Sequence, residues 1–213
     1  VTPEIAAIAL GIAASPFPII PAILLLFTPR PRTTTVCFLL GWILGIVVAT
    51  TTFAAVASLI EPRDETPAWV SWTRISLGFL LILLGVWQWA TRREKASAPA
   101  WMQAINDATP ARALRLGLLL SGANPKVLLL TAAGGLEIDS TGLSRTGAAV
   151  AIALFAAVAA STVSIPLVFY AVMGERVLGP LSRAKDWLGL HNAAVMAVVI
   201  TVIGVYLTVK GFR

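Results

Sequence analysis

The sequence predicts an all-α integral membrane protein of six transmembrane helices, arranged as two inverted three-helix repeats. Three observations predict it. First, 58% of the 213 residues are hydrophobic and 12% are charged, whereas a soluble domain is about 25% charged. So few charges cannot cover a globular surface, and the mean hydropathy of +0.87 agrees. Second, six apolar runs approach or exceed the roughly 20 residues that cross a bilayer. Third, two of these runs are interrupted by proline at corresponding places in the two halves of the chain. One transmembrane domain over 1–213 is expected, with repeat 1 at 1–91, a cytoplasmic loop at 92–111 and repeat 2 at 112–213.

The runs fall at 4–27, 34–60, 72–90, 112–136, 146–173 and 191–209. The first contains Ser15, Pro16, Phe17, Pro18 and Pro21, a cluster that breaks it. A tight turn at 28–32 leads to the second run, where Gly41 and Gly45 are spaced to let another helix approach closely. A Pro-rich acidic turn at 61–67 precedes the third run, which ends Leu84-Gly85-Val86-Trp87. The fourth contains Ser121, Gly122, Asn124, Pro125 and Lys126. A short turn with Gly142 leads to the fifth, where Ala149/Ala153 and Ala156/Ala160 form small-residue faces. Ser161, Thr162 and Ser164, just before Pro166, read as hydroxyls bonded to their own helix backbone. Residues 174–190, with Gly174, Gly179 and Pro180, read as a mixed connection. The sixth run opens at His191-Asn192, a capping or interfacial pair, and its end, Ile203-Gly204-Val205-Tyr206, echoes the third.

Three spans per repeat is an odd number, so the halves enter the membrane from opposite sides, the inverted plan of many secondary transporters. Charge gives the orientation. One side holds ten basic residues (Arg30, Arg32, Arg92, Arg93, Lys95, Arg112, Arg115, Arg176, Arg183, Lys185) against four acidic ones (Glu94, Asp107, Glu175, Asp186). The other holds five basic against six acidic. The ten-base side is expected in the cytoplasm, with both termini outside. Lys210 and Arg213 run against that bias. The net charge of +6 therefore reports topology, and no nucleic-acid partner is expected. Trp69, Trp72, Trp87, Trp89, Trp101 and Trp187 sit near span ends, as interfacial anchors do. No basic region precedes a short apolar core at the N-terminus, so the first span is expected to serve as an uncleaved signal.

The broken spans and one lysine carry the functional argument. Proline removes a backbone donor and clashes with the preceding turn. The freed carbonyls must then find partners in protein or in a wet cavity. Paired interruptions in two halves point to a binding site between them. Lys126 lies in the middle of the fourth run, where a lysine costs roughly 2.5–3.5 kcal/mol on the insertion scale. No Asp or Glu is read deep in any span. Lys126 therefore binds an anionic group or is uncharged part of the time. Asn124 can add an amide to the same site, while Ser15 and Ser121 can satisfy broken backbone or touch a solute. The candidate substrate-binding residues are Ser15, Pro16, Phe17, Pro18, Pro21, Ser121, Asn124, Pro125 and Lys126. Cys37 is the one cysteine, which excludes an internal disulfide and argues against a dithiol relay. The motifs of hydrolases, metal enzymes and phosphate loops do not occur. A non-enzyme without cofactor or metal is expected.

Asn124-Pro125-Lys126 resembles the Asn-Pro-Lys motif of the lysine-exporter (LysE) superfamily. The chain more specifically resembles its glycopeptidolipid-addressing (GAP) family, whose relatives include sulfolipid-addressing proteins. The resemblance runs nearly end to end. It includes Ser15-Pro16-Phe17-Pro18, Pro29-Arg30-Pro31, Phe38 to Trp42 with Gly45, and Pro99 to Met102. It continues through Thr109-Pro110, Leu116-Gly117, Trp187-Leu188, His191-Asn192 and Gly204-Val205. Val127 stands where many relatives carry a polar residue. The resemblance implies six spans, an actinobacterial inner membrane and a role in moving envelope glycolipids outward. The expected substrate is an envelope (glyco)lipid or other anionic amphiphile, held between the broken spans one and four. Two alternatives stand beside it: export of a small solute such as an amino acid, and a non-transporting scaffold for envelope-lipid synthesis or export proteins. Membrane lipids, such proteins and a second copy of the chain are the expected partners.

Overall fold

The computed structural model describes residues 2–60, 68–90 and 108–211. Regular structure among them is helical throughout. It comprises α1 (Pro3–Ala13), α2 (Pro16–Leu25), α3 (Pro31–Ile60), α4 (Ala68–Ala90), α5 (Pro110–Gly122), α6 (Pro125–Ser140), α7 (Arg145–Met173), a 3₁₀ turn (Gly174–Val177) and α8 (Leu178–Gly211). The acidic turn at 61–67 and residues 91–107 of the basic loop, with Trp101, lie outside the described residues. So do the side chains of Trp69, His191, Asn192 and Lys210.

The first and fourth apolar runs are each two helices. α1 and α2 meet at 52°, and α5 and α6 at 66°. All four half-helices start the same way, with a capping residue and then proline: Thr2-Pro3, Ser15-Pro16, Thr109-Pro110 and Asn124-Pro125. Proline at the first helical position removes an N–H that has no partner in any case. It also drives the residue before it out of the helical region. Ser15 and Asn124 are accordingly extended, with ψ of 118° and 115°, and the chain bends there.

Glycine sets how the helices pack. A Cβ on Gly117 would collide with the Phe38 carbonyl oxygen, and one on Gly41 with that of Leu114. Gly135 lies in the same way against Thr50 and Ala54. The broken pair α5–α6 thus runs parallel to α3, backbone on backbone. α4 and α8 are antiparallel: Gly78 faces Gly204 and Thr208, while Gly85 faces Ala197 and Thr201. Exchanging α1–α4 for α5–α8 preserves most of the packing. α3 on α5 becomes α7 on α1, α3 on α6 becomes α7 on α2, α2 on α8 becomes α6 on α4, and α4 on α8 maps onto itself.

Two expectations are corrected. The stretch read as a mixed connection from 174 is helical from Leu178. Pro180 falls in the first turn, where proline is tolerated, and Val177 and Leu181 are drawn into a cluster with Ile23, Leu26 and Tyr170. α6 also runs on to Ser140, so Glu137, read as lying beyond the span, is helical and 7% exposed. By length and composition, Pro31–Leu59 and Arg145–Gly189 qualify alone as membrane spans, and the two bent pairs raise the number to four among the described residues. The apolar stretches Ile75–Trp87 and Ala197–Tyr206 are shorter.

Candidate functional site

At the first elbow, Ser15, Pro16, Pro18 and Pro21 are buried and Phe17 is half-buried. The Ala14 N–H donates to Leu10 O and the Ser15 N–H to Ile12 O, closing α1. The Ala13 carbonyl is released by the break. It accepts a hydrogen bond from Thr162 Oγ1 of α7, 2.5 Å away. Ser161 and Ser164 bond to their own helix, to Val158 O and Ala160 O, as expected of this patch. Thr162 departs from that expectation.

The second elbow is built differently. Asn124 Oδ1 accepts from the Lys126 N–H at 3.0 Å and Asn124 O accepts from Leu128 N–H, so Asn124 caps α6 with both side chain and backbone. Gly122, Ala123 and Pro125 are exposed and Asn124 is half-buried. Ser121 faces the other way. Its hydroxyl donates to Gly117 O at 2.8 Å and Leu118 O at 3.1 Å, and it is packed against Gly45. It belongs to the α3–α5 seam.

Lys126 is the second residue of α6 and is 1% exposed. Leu130 lies one turn on, on the same face. A Cβ on Gly11 of α1 would lie 3.5 Å from its Cδ1. Leu130 of α6 therefore packs against Gly11 of α1, four residues before Ser15. Lys126 lies in the first turn of α6, so that helix N-terminus adds partial positive charge beside it. Val127, beside it, is fully buried in the apolar core.

α3 adds groups that the sequence did not single out. Thr35 Oγ1, Trp42 Nε1 and Thr50 Oγ1 are buried without a hydrogen-bond partner. Buried polar atoms in this state are where water or a ligand is usually found. Nothing in the sequence separates them from the other threonines and tryptophans of the spans. Among the described residues no group of three or more His, Cys, Asp or Glu side chains could hold a metal ion.

A buried lysine in a bundle of apolar, proline-broken helices defines a class, the helical membrane proteins with an ionisable residue in their interior. The family model described as Sap, sulfolipid-1-addressing protein, matches residues 5–213, and the chain belongs to that family. No curated protein and no solved structure matches it.

Proposed function

We propose that this protein moves, or helps to move, an anionic envelope lipid outward across the bacterial inner membrane. Membership of a lipid-addressing family supports the lipid. The observation that carries the mechanism is Lys126, buried at the start of α6, a helix that packs against α1. Its ammonium and the N-terminal end of α6 attract negative charge. A sulfate, phosphate or carboxylate headgroup would bind at Lys126, with Asn124 and the Ser15–Pro21 segment lining the site. The resemblance to the lysine-exporter superfamily supports the same plan. So does the exchange symmetry of the helix contacts, which suits six spans in two inverted repeats. The glycine seams of α3–α5 and α4–α8 are firm, so motion would fall between these units. Envelope-lipid synthesis and export proteins are the natural partners.

The test is the thermal stability of detergent-solubilised protein, wild type and Lys126→Met, against anionic lipids, neutral lipids and amino acids. A ligand that binds the folded state raises its stability by mass action. The expected result is a shift with anionic lipid in the wild type, lost in Lys126→Met. A shift with an amino acid alone would move the assignment to a small-solute exporter. Equal shifts in both proteins would remove Lys126 from the site.

A further inference from the structure

α5 is buried along a single stripe, Ala113, Gly117 and Ser121, which faces α3. The opposite side is exposed from end to end, through Arg112, Arg115, Leu119, Gly122 and Ala123. With 3.6 residues per turn these five fall within about 100° of arc. They form one strip that ends at the second elbow, immediately before Lys126. At its start lies a recess of about 320 Å³ lined by Pro29, Arg30, Ala108, Thr109 and Pro110, with Arg30 exposed. Three guanidiniums thus stand at one end of the strip, and the buried Lys126 follows its other end in sequence.

α1 provides the comparison within the same molecule. Pro3, Ala7, Leu10 and Ala14 form an equally exposed strip that ends at the first elbow. Leu10, Ala14 and Ser15 match Leu119, Ala123 and Asn124, each 109 residues later. The α1 strip has no basic residue, and the one charged residue of α1 is Glu4. The two strips match in shape and differ in charge.

We infer that the exposed face of α5 is a loading track for a membrane-embedded anionic amphiphile. Arg30, Arg112 and Arg115 draw its phosphate or sulfate headgroup to the basic end by their charge. The headgroup then passes Leu119 to the elbow, roughly 10 Å along the helix from Arg115, and reaches Lys126. The acyl tails stay in the bilayer against the outer side of the strip. The matching strip on α1 has no cation to hold a headgroup and serves for release. The difference gives the two routes a direction. This inference rests on the assignment of Lys126 as a headgroup site, and the experiment separates the two.

The full-length protein in neutral detergent micelles is mixed with phosphatidylglycerol carrying a dansyl group on one tail. Energy transfer from the protein's seven tryptophans reports association and dissociation. Charges that steer an encounter act on the association rate and its salt dependence, whereas contacts in the final site act on dissociation. R112Q/R115Q is expected to lower the association rate about tenfold and to flatten its salt dependence, with dissociation unchanged. R112K/R115K keeps the charge and stays near wild type. R176Q/R183Q, with both arginines exposed elsewhere, leaves the rate unaltered. Should R112Q/R115Q not fold, R115Q alone carries the same comparison. Unchanged association in R112Q/R115Q, with faster dissociation in Lys126→Met, would overturn the track and leave the headgroup site standing. Unchanged kinetics in both variants would overturn both. Inorganic phosphate that displaces the labelled lipid at equal concentration would show a site for a free anion and overturn the lipid track.

Discussion

The Thr162 hydroxyl on α7 donates to the Ala13 carbonyl at the end of α1, a hydrogen bond that joins residues 149 apart in sequence. It supplies a partner for a carbonyl that the helix break releases. Thr162→Val keeps the shape and deletes the donor. We expect a loss of about 1 kcal/mol, within the range for hydrogen bonds in membrane proteins, and recovery in Thr162→Ser. Unfolding of the purified variants in mixed micelles measures both. Equal stability of Thr162→Val and wild type would mean that the carbonyl finds another partner.

The α3–α5 seam depends on Gly117. A Cβ there would collide with the Phe38 carbonyl oxygen and stand 2.7 Å from the Trp42 nitrogen, both backbone atoms. Neither can yield without moving a helix, so Gly117→Ala should cost about 1–3 kcal/mol, as overpacking does. A methyl group on Gly189 of α8 would meet nothing within 4 Å, and Gly189→Ala should be neutral or stabilising, by up to about 1 kcal/mol. Parallel thermal denaturation of the two variants gives the comparison, and a similar loss in both would contradict the seam.

Asn124 works as a helix cap whatever else it does. Its Oδ1 accepts from the Lys126 N–H, so Asn124→Ala should cost about 0.5–2 kcal/mol. Asn124→Ser and Asn124→Asp should retain most of that stability. A variant that keeps its stability but loses lipid response would show a direct role in binding. Loss of both together would trace the effect to the cap that positions Lys126.

Much of this architecture was legible because proline leaves a physical mark. The breaks at Ser15 and Asn124 followed from Pro16 and Pro125, and the structure bends at those two places. Lys126 was conspicuous because a charge in an apolar run needs a special environment, and it is buried. Gly41 and Gly45 marked a close helix contact, which α5 makes. Other features were hidden. Thr162 looked like an ordinary helical hydroxyl, since nothing local shows that its partner is Ala13. Gly179 and Pro180 suggested a loop, yet burial of Val177 and Leu181 outweighs them. Glu137 reads as past the end of its span in the sequence, but α6 continues through it. The face-by-face exposure of α5 depends on where α3 lies, which periodicity alone does not give.

The proposed six-span topology places Leu143 and Ala184, both exposed, on opposite sides of the membrane. With Cys37 replaced by alanine, Leu143→Cys should react with an impermeant maleimide in intact cells. Ala184→Cys should react only after the membrane is opened. The reverse pattern would invert the topology and place the α5 track at the outer face.

The central claim is that an anionic headgroup sits beside Lys126. An anionic lipid with a photoactivatable group next to its headgroup, cross-linked to the full-length protein in membranes and mapped by peptide mass spectrometry, tests it directly. The account predicts adducts at 15–21 and 121–131, absent in Lys126→Met and unaffected in R176Q/R183Q. Adducts confined to the outer faces of α4 and α8, or an unchanged pattern in Lys126→Met, would contradict it.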